Sequence, residues 1–218
     1  MLRLYLCSVG PNWRGFRVLS INGDDEVLNR TSIYAHASDA RINLVTASIE
    51  RQLVYDGAAD LVTCFHGLHL LDVHEALAEM HRITKPGGRL VVAWNDRDLR
   101  NNFITQLEAL IERHVPSYTR TCGQHELDHW ATTLQQQGLF RLREHNTYHN
   151  PVVLRNLTTL GDILNSQSYI REALQGHARR AFNSEVRALV EQRFGEGPLL
   201  LPMLTRLFVL EKVTPSLQ

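Results

Sequence analysis

The stretch from Asp72 to Trp94 constrains this chain most. Val73, Leu77, Met80 and Ile83 recur at three- and four-residue intervals, so residues 72–84 read as an amphipathic helix with one apolar stripe. Asp72 stands at its start as a cap, where a carboxylate accepts from the free amides of the first turn. Lys85-Pro86-Gly87-Gly88 then stops the helix, because proline cannot continue it and glycine turns the chain at little steric cost. Residues 89–94 (RLVVAW) follow as a nearly continuous apolar strand, and residues 59–65 (ADLVTCF) are another. Strands that are apolar throughout are buried on both faces, as in a parallel sheet. Two of them joined through a helix make a parallel crossover, so the chain is α/β.

The rest of the chain extends that pattern. Residues 2–7 and 16–21 read as short strands, a helical stretch opens at Asp24 and Asp25, and residues 41–46 read as a strand. Helices are expected at 102–114 and 124–137, the latter ended by Gly138, and a strand at 139–149. Residues 158–194 hold two or three helices, and 205–213 a closing strand. No linker or repeat interrupts the 218 residues, so they read as one domain, 1–218, with a helical insertion at 151–200. A 44% hydrophobic content supplies a core. Lys plus Arg and Asp plus Glu both total 23, which disfavours a nucleic-acid partner. No apolar run approaches the roughly 18 residues of a membrane span, and MLRLYLCSVG does not read as a signal peptide. Cys7, Cys64 and Cys122 are odd in number and far apart, which fits a reducing, cytoplasmic setting.

The motif ADLVTCF, then His66-Gly67-Leu68-His69, a helix, and KPGGRLVV resembles the second half of a class I S-adenosylmethionine-dependent methyltransferase. The branch suggested is the small-molecule, type 11-like one, akin to ubiquinone-biosynthesis and trans-aconitate methyltransferases. Residues 17–28 resemble that family's second strand and the helix start after it; residues 41–50 resemble its third strand, and 205–213 its last. The resemblance implies a Rossmann-like, mostly parallel sheet with a reversed last strand. S-adenosylmethionine would lie at the strands' carboxyl ends, where open α/β sheets bind ligands. Residues 1–98 would be the cofactor-binding half, 99–150 the helices and sixth strand, 151–200 a helical cap and 201–213 the last strand. Asn22, Ser48, Ile49 and Phe65 would contact cofactor, with Leu68 beside Phe65. His66 and His69 would edge the reaction, His69 as a base on the acceptor. Trp94, Asn95 and Tyr169 would border the pocket of a small-molecule acceptor, methylated on oxygen, nitrogen or carbon.

Two departures from the family matter. A strand, a glycine-rich loop and a helix should precede the second strand, yet only residues 8–15 separate the two amino-terminal strand candidates. A parallel crossover needs about a dozen residues or more, so the first crossover helix is missing. Asn22 also stands where the family has a carboxylate on the ribose hydroxyls, and a neutral amide accepts more weakly. These departures support an alternative: a catalytically inactive binding or interaction protein, dimeric or completed by a partner chain through an exposed strand edge.

His125-Glu126-Leu127-Asp128-His129 matches the H-E-x-x-H pattern of zinc peptidases and is a remote alternative. Asp128 inside the motif and the absence of a spaced third ligand argue for a mixed surface helix without metal. His145 and His149 share one face of a strand, Arg171, Arg179 and Arg180 lie in the cap, and Cys64 falls in a buried strand, where a thiol is inert.

Overall fold

A computed structural model describes residues 18–22, 25, 28–29, 32–33, 42–47, 54–65, 67–68, 71–118, 124–155, 157–195 and 197–214. The chain divides into two compact units. One comprises residues 1–94, 123–146 and 206–218; the other comprises 95–122 and 147–205.

In the first unit, β1 (Val18–Asn22) pairs in parallel with β2 (Ile42–Thr46), with Val18 opposite Ile42 and Asn22 opposite Thr46. A four-stranded sheet follows in the order β3 (Ala59–Phe65), β4 (Thr84–Arg97), β8 (Met203–Lys212), β5 (Phe140–His149). β3 and β4 are parallel, joined through helix α1 (Val73–Ile83). β8 runs against β4: Asp98 donates its amide to Pro202 O at one end, while Lys212 Nζ reaches Thr84 O at the other. The expected strand pattern and reversed last strand are present. The strand expected at 2–7 and its missing crossover lie outside the described residues.

Helix α1 forms as its sequence dictates. Asp72 accepts from the amides of His74 and Glu75, and Ala76, Leu77, Met80 and Ile83 are buried. The corner after it differs from the expected turn. Residues 85–88 belong to β4 as an irregular excursion, since Ala59 pairs with Thr84 but Leu61 pairs with Arg89. Gly87 has φ +73, and a Cβ on Gly88 would meet Thr84 Cγ2 at 2.8 Å, Lys85 O at 2.9 Å and Asp60 O at 3.1 Å. The glycine pair thus lets the chain fold back on β3 at contact distance. Helix α3 (Gln124–Gln136) completes this unit, with Leu134 buried.

The second unit has its own apolar core. Helices α2 (Asn102–His114), α4 (Leu157–Ser166), α5 (Ser168–Ala173) and α6 (Gly176–Phe194) contribute Phe103, Ile104, Leu160, Ile170, Phe182 and Val186, among others. The three helices within 158–194 match the sequence expectation. The short antiparallel pair β6 (Val152–Leu154) and β7 (Leu199–Leu201) does not. Runs of three residues carry too little periodicity to be read as strands.

Candidate functional site

The carboxyl ends of β1 and β2 present polar groups on buried backbone. Asn22, which ends β1, is fully buried, and its carbonyl accepts from Ala47 N at 3.2 Å. Thr46 Oγ1 donates to Asp25 Oδ1 at 2.6 Å. An exposed carboxylate is therefore held one turn past Asn22, with further lone pairs on its oxygens. The sequence pointed to Asn22 and placed Asp25 only at the opening of a helical stretch. The Thr46 hydroxyl ties that acid down instead. The pairing crosses 21 residues, so no local motif announces it.

At the end of β3, Phe65 is half-buried, while Gly67 and Leu68 are buried. Cys64 is buried, and burial pushes its thiol up to about 12 despite backbone hydrogen bonds at Leu68 and Gly67. It stays a protonated core residue, as expected. Ser48, Ile49, His66 and His69 lie outside the described residues.

Trp94, near the end of β4, stacks on Phe208 at 5.2 Å between ring centroids and tilts against Trp130 at 5.6 Å. His145 in turn lies flat on Phe208 at 4.3 Å. Trp94 is 5% exposed, and its buried indole N–H has no partner among the described residues. A buried donor left this way costs stability.

In the second unit, Asn95 is exposed and accepts from Thr205 Oγ1 at 2.6 Å; Thr205 Oγ1 accepts from Asn150 Nδ2 at 2.9 Å. This relay fixes which end of the Asn95 amide is the acceptor. Tyr169 is half-buried on α5. Around it stands a cluster the sequence did not reveal. Arg97 Nε donates to Glu108 Oε1, and Arg97 Nη2 reaches Tyr118 Oη at 2.9 Å and Tyr169 Oη at 3.4 Å. Tyr118 Oη donates to Glu108 Oε2 at 3.2 Å, and its ring lies 4.5 Å from that of Tyr169. Burial works against the Arg97 charge, but Tyr169, Glu108 and Tyr118 outweigh it and hold the guanidinium above its ordinary range. The expected cap arginines are placed differently: Arg171 and Arg180 are exposed, and Arg179 Nη2 donates to Arg171 O at 3.1 Å. The only sequence signal for Arg97 was its place at the end of an apolar strand.

His129 of the H-E-x-x-H stretch is exposed, with Nε2 3.4 Å from Thr133 Oγ1 and its ring edge toward Trp130. The side chains of residues 125–128 lie outside the description. No group of three or more metal-ligating side chains occurs among the described residues. His149 lies by Arg100 and Asp98 on the exposed end of β5.

The described set fits the family's cofactor in its chemistry. An amide at the end of β1 and a carboxylate a turn beyond it would suit ribose hydroxyls, and a half-buried aromatic at the end of β3 would suit a purine face.

Comparison with known proteins bears on the family and the fold. A family model described as "Methyltransferase domain" matches residues 5–92. An uncharacterized methyltransferase of Mycobacterium tuberculosis, Rv3342, is 29% identical over 102 residues, covering 43% of this chain and 42% of that protein. Demethylmenaquinone methyltransferase of Mycolicibacterium paratuberculosis is 29% identical over 128 residues, covering 51% and 54%. The matches thus span about half, or less, of these curated relatives. Among solved structures, BH2331 of Bacillus halodurans C-125 shares the fold with a TM-score of 0.57 at 15% identity, over 91% of this chain and 84% of that one. The [4+2]-cyclase SpnF also shares it, with a TM-score of 0.50 at 14% identity, over 90% and 66%, so fold alone does not set the reaction. No described helix is long and apolar enough to cross a membrane. The sequence of residues 5–92 is thus similar to the methyltransferase family, and the chain as a whole has the Rossmann-like fold of solved methyltransferases.

Proposed function

We propose that the chain transfers a methyl group from S-adenosylmethionine to a small-molecule acceptor. The observation that carries this reading is the polar end of β1, where buried Asn22 and the Thr46-held Asp25 carboxylate stand at the ligand-binding edge of a sheet of this family. When bound, the cofactor supplies an electrophilic methyl group. Asn22 and Asp25 hold the ribose; Phe65, with Ser48 and Ile49, holds the adenine. His66 and His69 edge the reaction, Trp94 walls it, and Asn95 and Tyr169 contact the acceptor. Methyl transfer needs chiefly alignment and exclusion of water, so the proposal rests on no dedicated base. The free, buried Cys64 is in keeping with a reducing, cytoplasmic setting.

Calorimetric titration with S-adenosylhomocysteine tests the reading. Micromolar binding is expected, lost in Ser48→Trp and weakened in Asp25→Ala. Well-folded protein that binds none at millimolar ligand refutes it and favours the non-catalytic interaction protein. A second copy or a completing chain belongs to that alternative, and a stable monomer in light scattering counts against it.

A further inference from the structure

The four-stranded sheet has two unlike faces. Side chains alternate along each strand, and paired residues share a face. Leu90, Val92 and Trp94 of β4 lie on one face with Cys64 of β3, and all four are buried. Trp94 stacks on Phe208, which places the buried Phe208 and Leu210 of β8 on the same side. Helices α1 and α3 lie there too. Trp130 of α3 packs on Trp94, and Lys212, two residues on from Leu210, donates from Nζ to His81 O of α1. The opposite face is less covered. Leu61 is 44% exposed, its partner Arg89 is exposed, and Thr63, Phe65, Val91 and Val209 are only half-buried. Parallel strands with apolar residues on both faces are ordinarily covered on both, by helices. Three arginines rim this second face around one acid. Arg143 Nε donates to Glu211 Oε2 at 2.7 Å. That bond above all, then the charges of Arg143, Arg89 and Arg141, hold the Glu211 carboxyl below its ordinary range, although burial opposes them. Arg89 and Arg141 are exposed and have no ion-pair partner among the described residues. Three guanidinium groups thus gather at one carboxylate.

We propose that this face is a docking surface for an amphipathic helix of a partner protein, one whose flanks carry Asp or Glu. The partner's apolar stripe lies over Leu61, Val91 and Val209, and its acids meet Arg89, Arg141 and Arg143. A helix is the ordinary cover of a parallel sheet, and one of about 15 residues matches the ~23 Å of the seven-residue strand β3. Charge decides against two other occupants. Residues 1–17 of the chain carry Arg3, Arg14 and Arg17 and no acid. A second copy related by a two-fold axis brings the same patch against itself, arginines to arginines. The proposal goes beyond the methyl-transfer reading and stands without it.

The probes are two fluorescein-labelled synthetic helices that share a leucine stripe. One carries glutamates on its flanks, the other lysines. Anisotropy titration against the full chain should show the glutamate helix binding about tenfold tighter at low salt, with the gap closing as salt screens the arginines. Arg89→Glu with Arg141→Glu should reverse the preference, and Arg89→Gln with Arg141→Gln should leave it in between. Both side chains are exposed, so melting temperatures should stay at the parent's. Leu61→Ser should weaken both helices about fivefold and leave their ratio alone. Benzoylphenylalanine in place of Leu61 then reports the occupant by photo-crosslinking, which is expected to capture the glutamate helix. Equal binding of the two helices, binding of neither, or a preference unmoved by charge reversal overturns the proposal. So does crosslinking to a second copy, to residues 1–17 of the chain or to phosphatidylserine vesicles in place of the glutamate helix.

Discussion

Gly88→Ala is the substitution that the corner between α1 and β4 should tolerate least. The new methyl would lie 2.8 Å from Thr84 Cγ2, 2.9 Å from Lys85 O and 3.1 Å from Asp60 O. None of the three can yield cheaply. Thr84 is fully buried, and its hydroxyl donates to Met80 O at 2.6 Å, which fixes its rotamer. The other two are backbone carbonyls, one of them on the partner strand β3. Overpacking of this kind costs about 3 kcal/mol at its upper end, and the lower entropy of an unfolded alanine chain returns ~0.5–1 kcal/mol. The net loss is about 2 kcal/mol. Gly87→Ala is the control, because it has φ +73 but nothing within 4 Å of the added Cβ. Its left-handed backbone costs about 1 kcal/mol after the same correction. Urea unfolding of the three proteins measures both numbers. Thr84→Ser removes Cγ2 and keeps the hydroxyl, so the Gly88→Ala loss should shrink by about 1 kcal/mol in that background. Equal losses at Gly87 and Gly88, or no relief from Thr84→Ser, would show that the close approach is not what demands glycine.

Other expectations follow from single contacts. Burial keeps the His81 ring neutral and its pKa below the usual histidine value, although its bond to Val213 O opposes that and Lys212 adds to it. The unfolded chain binds that proton first, so stability is complete above the ordinary histidine value of 6.5 and declines as pH falls through it toward the folded value. Denaturant melts across that window should steepen this way in the parent and flatten in His81→Gln. Cys64 should resist alkylation at neutral pH in a Cys7→Ser, Cys122→Ser background and react once urea unfolds the chain; rapid labelling of native protein would contradict a thiol raised to about 12. Asp72→Ala should cost about 1 kcal/mol, since it removes the acceptor for His74 N and Glu75 N, and a loss near zero by thermal unfolding would deny the cap. Trp94→Phe should cost under about 1 kcal/mol, because the packing lost is offset by removing a buried donor that lacks a partner among the described residues, and a loss above about 3 kcal/mol would refute that offset.

What the sequence determined by itself was whatever depends on short-range pattern. The stripe Val73, Leu77, Met80, Ile83 set helix α1, and the apolar runs 59–65 and 89–94 set the parallel pair β3 and β4. Their spacing around Lys85-Pro86-Gly87-Gly88 was enough for the fold and for the resemblance to methyltransferases. Tertiary structure decided what depends on distant partners. The glycine pair reads locally as a turn, but the crowding of Gly88 by Thr84, by Lys85 and, across on β3, by the Asp60 carbonyl explains why that position must be glycine. Asp25 looks like a solvated acid until Thr46, on the next strand, claims one oxygen. Arg97, Glu108, Tyr118 and Tyr169 come from a strand end, a helix, a loop and a second helix, and no period in the sequence relates them. Hydrogen bonds and ion pairs are short-ranged in space while the chain that brings them together is long, so polar constellations form only once the apolar pattern has folded around them.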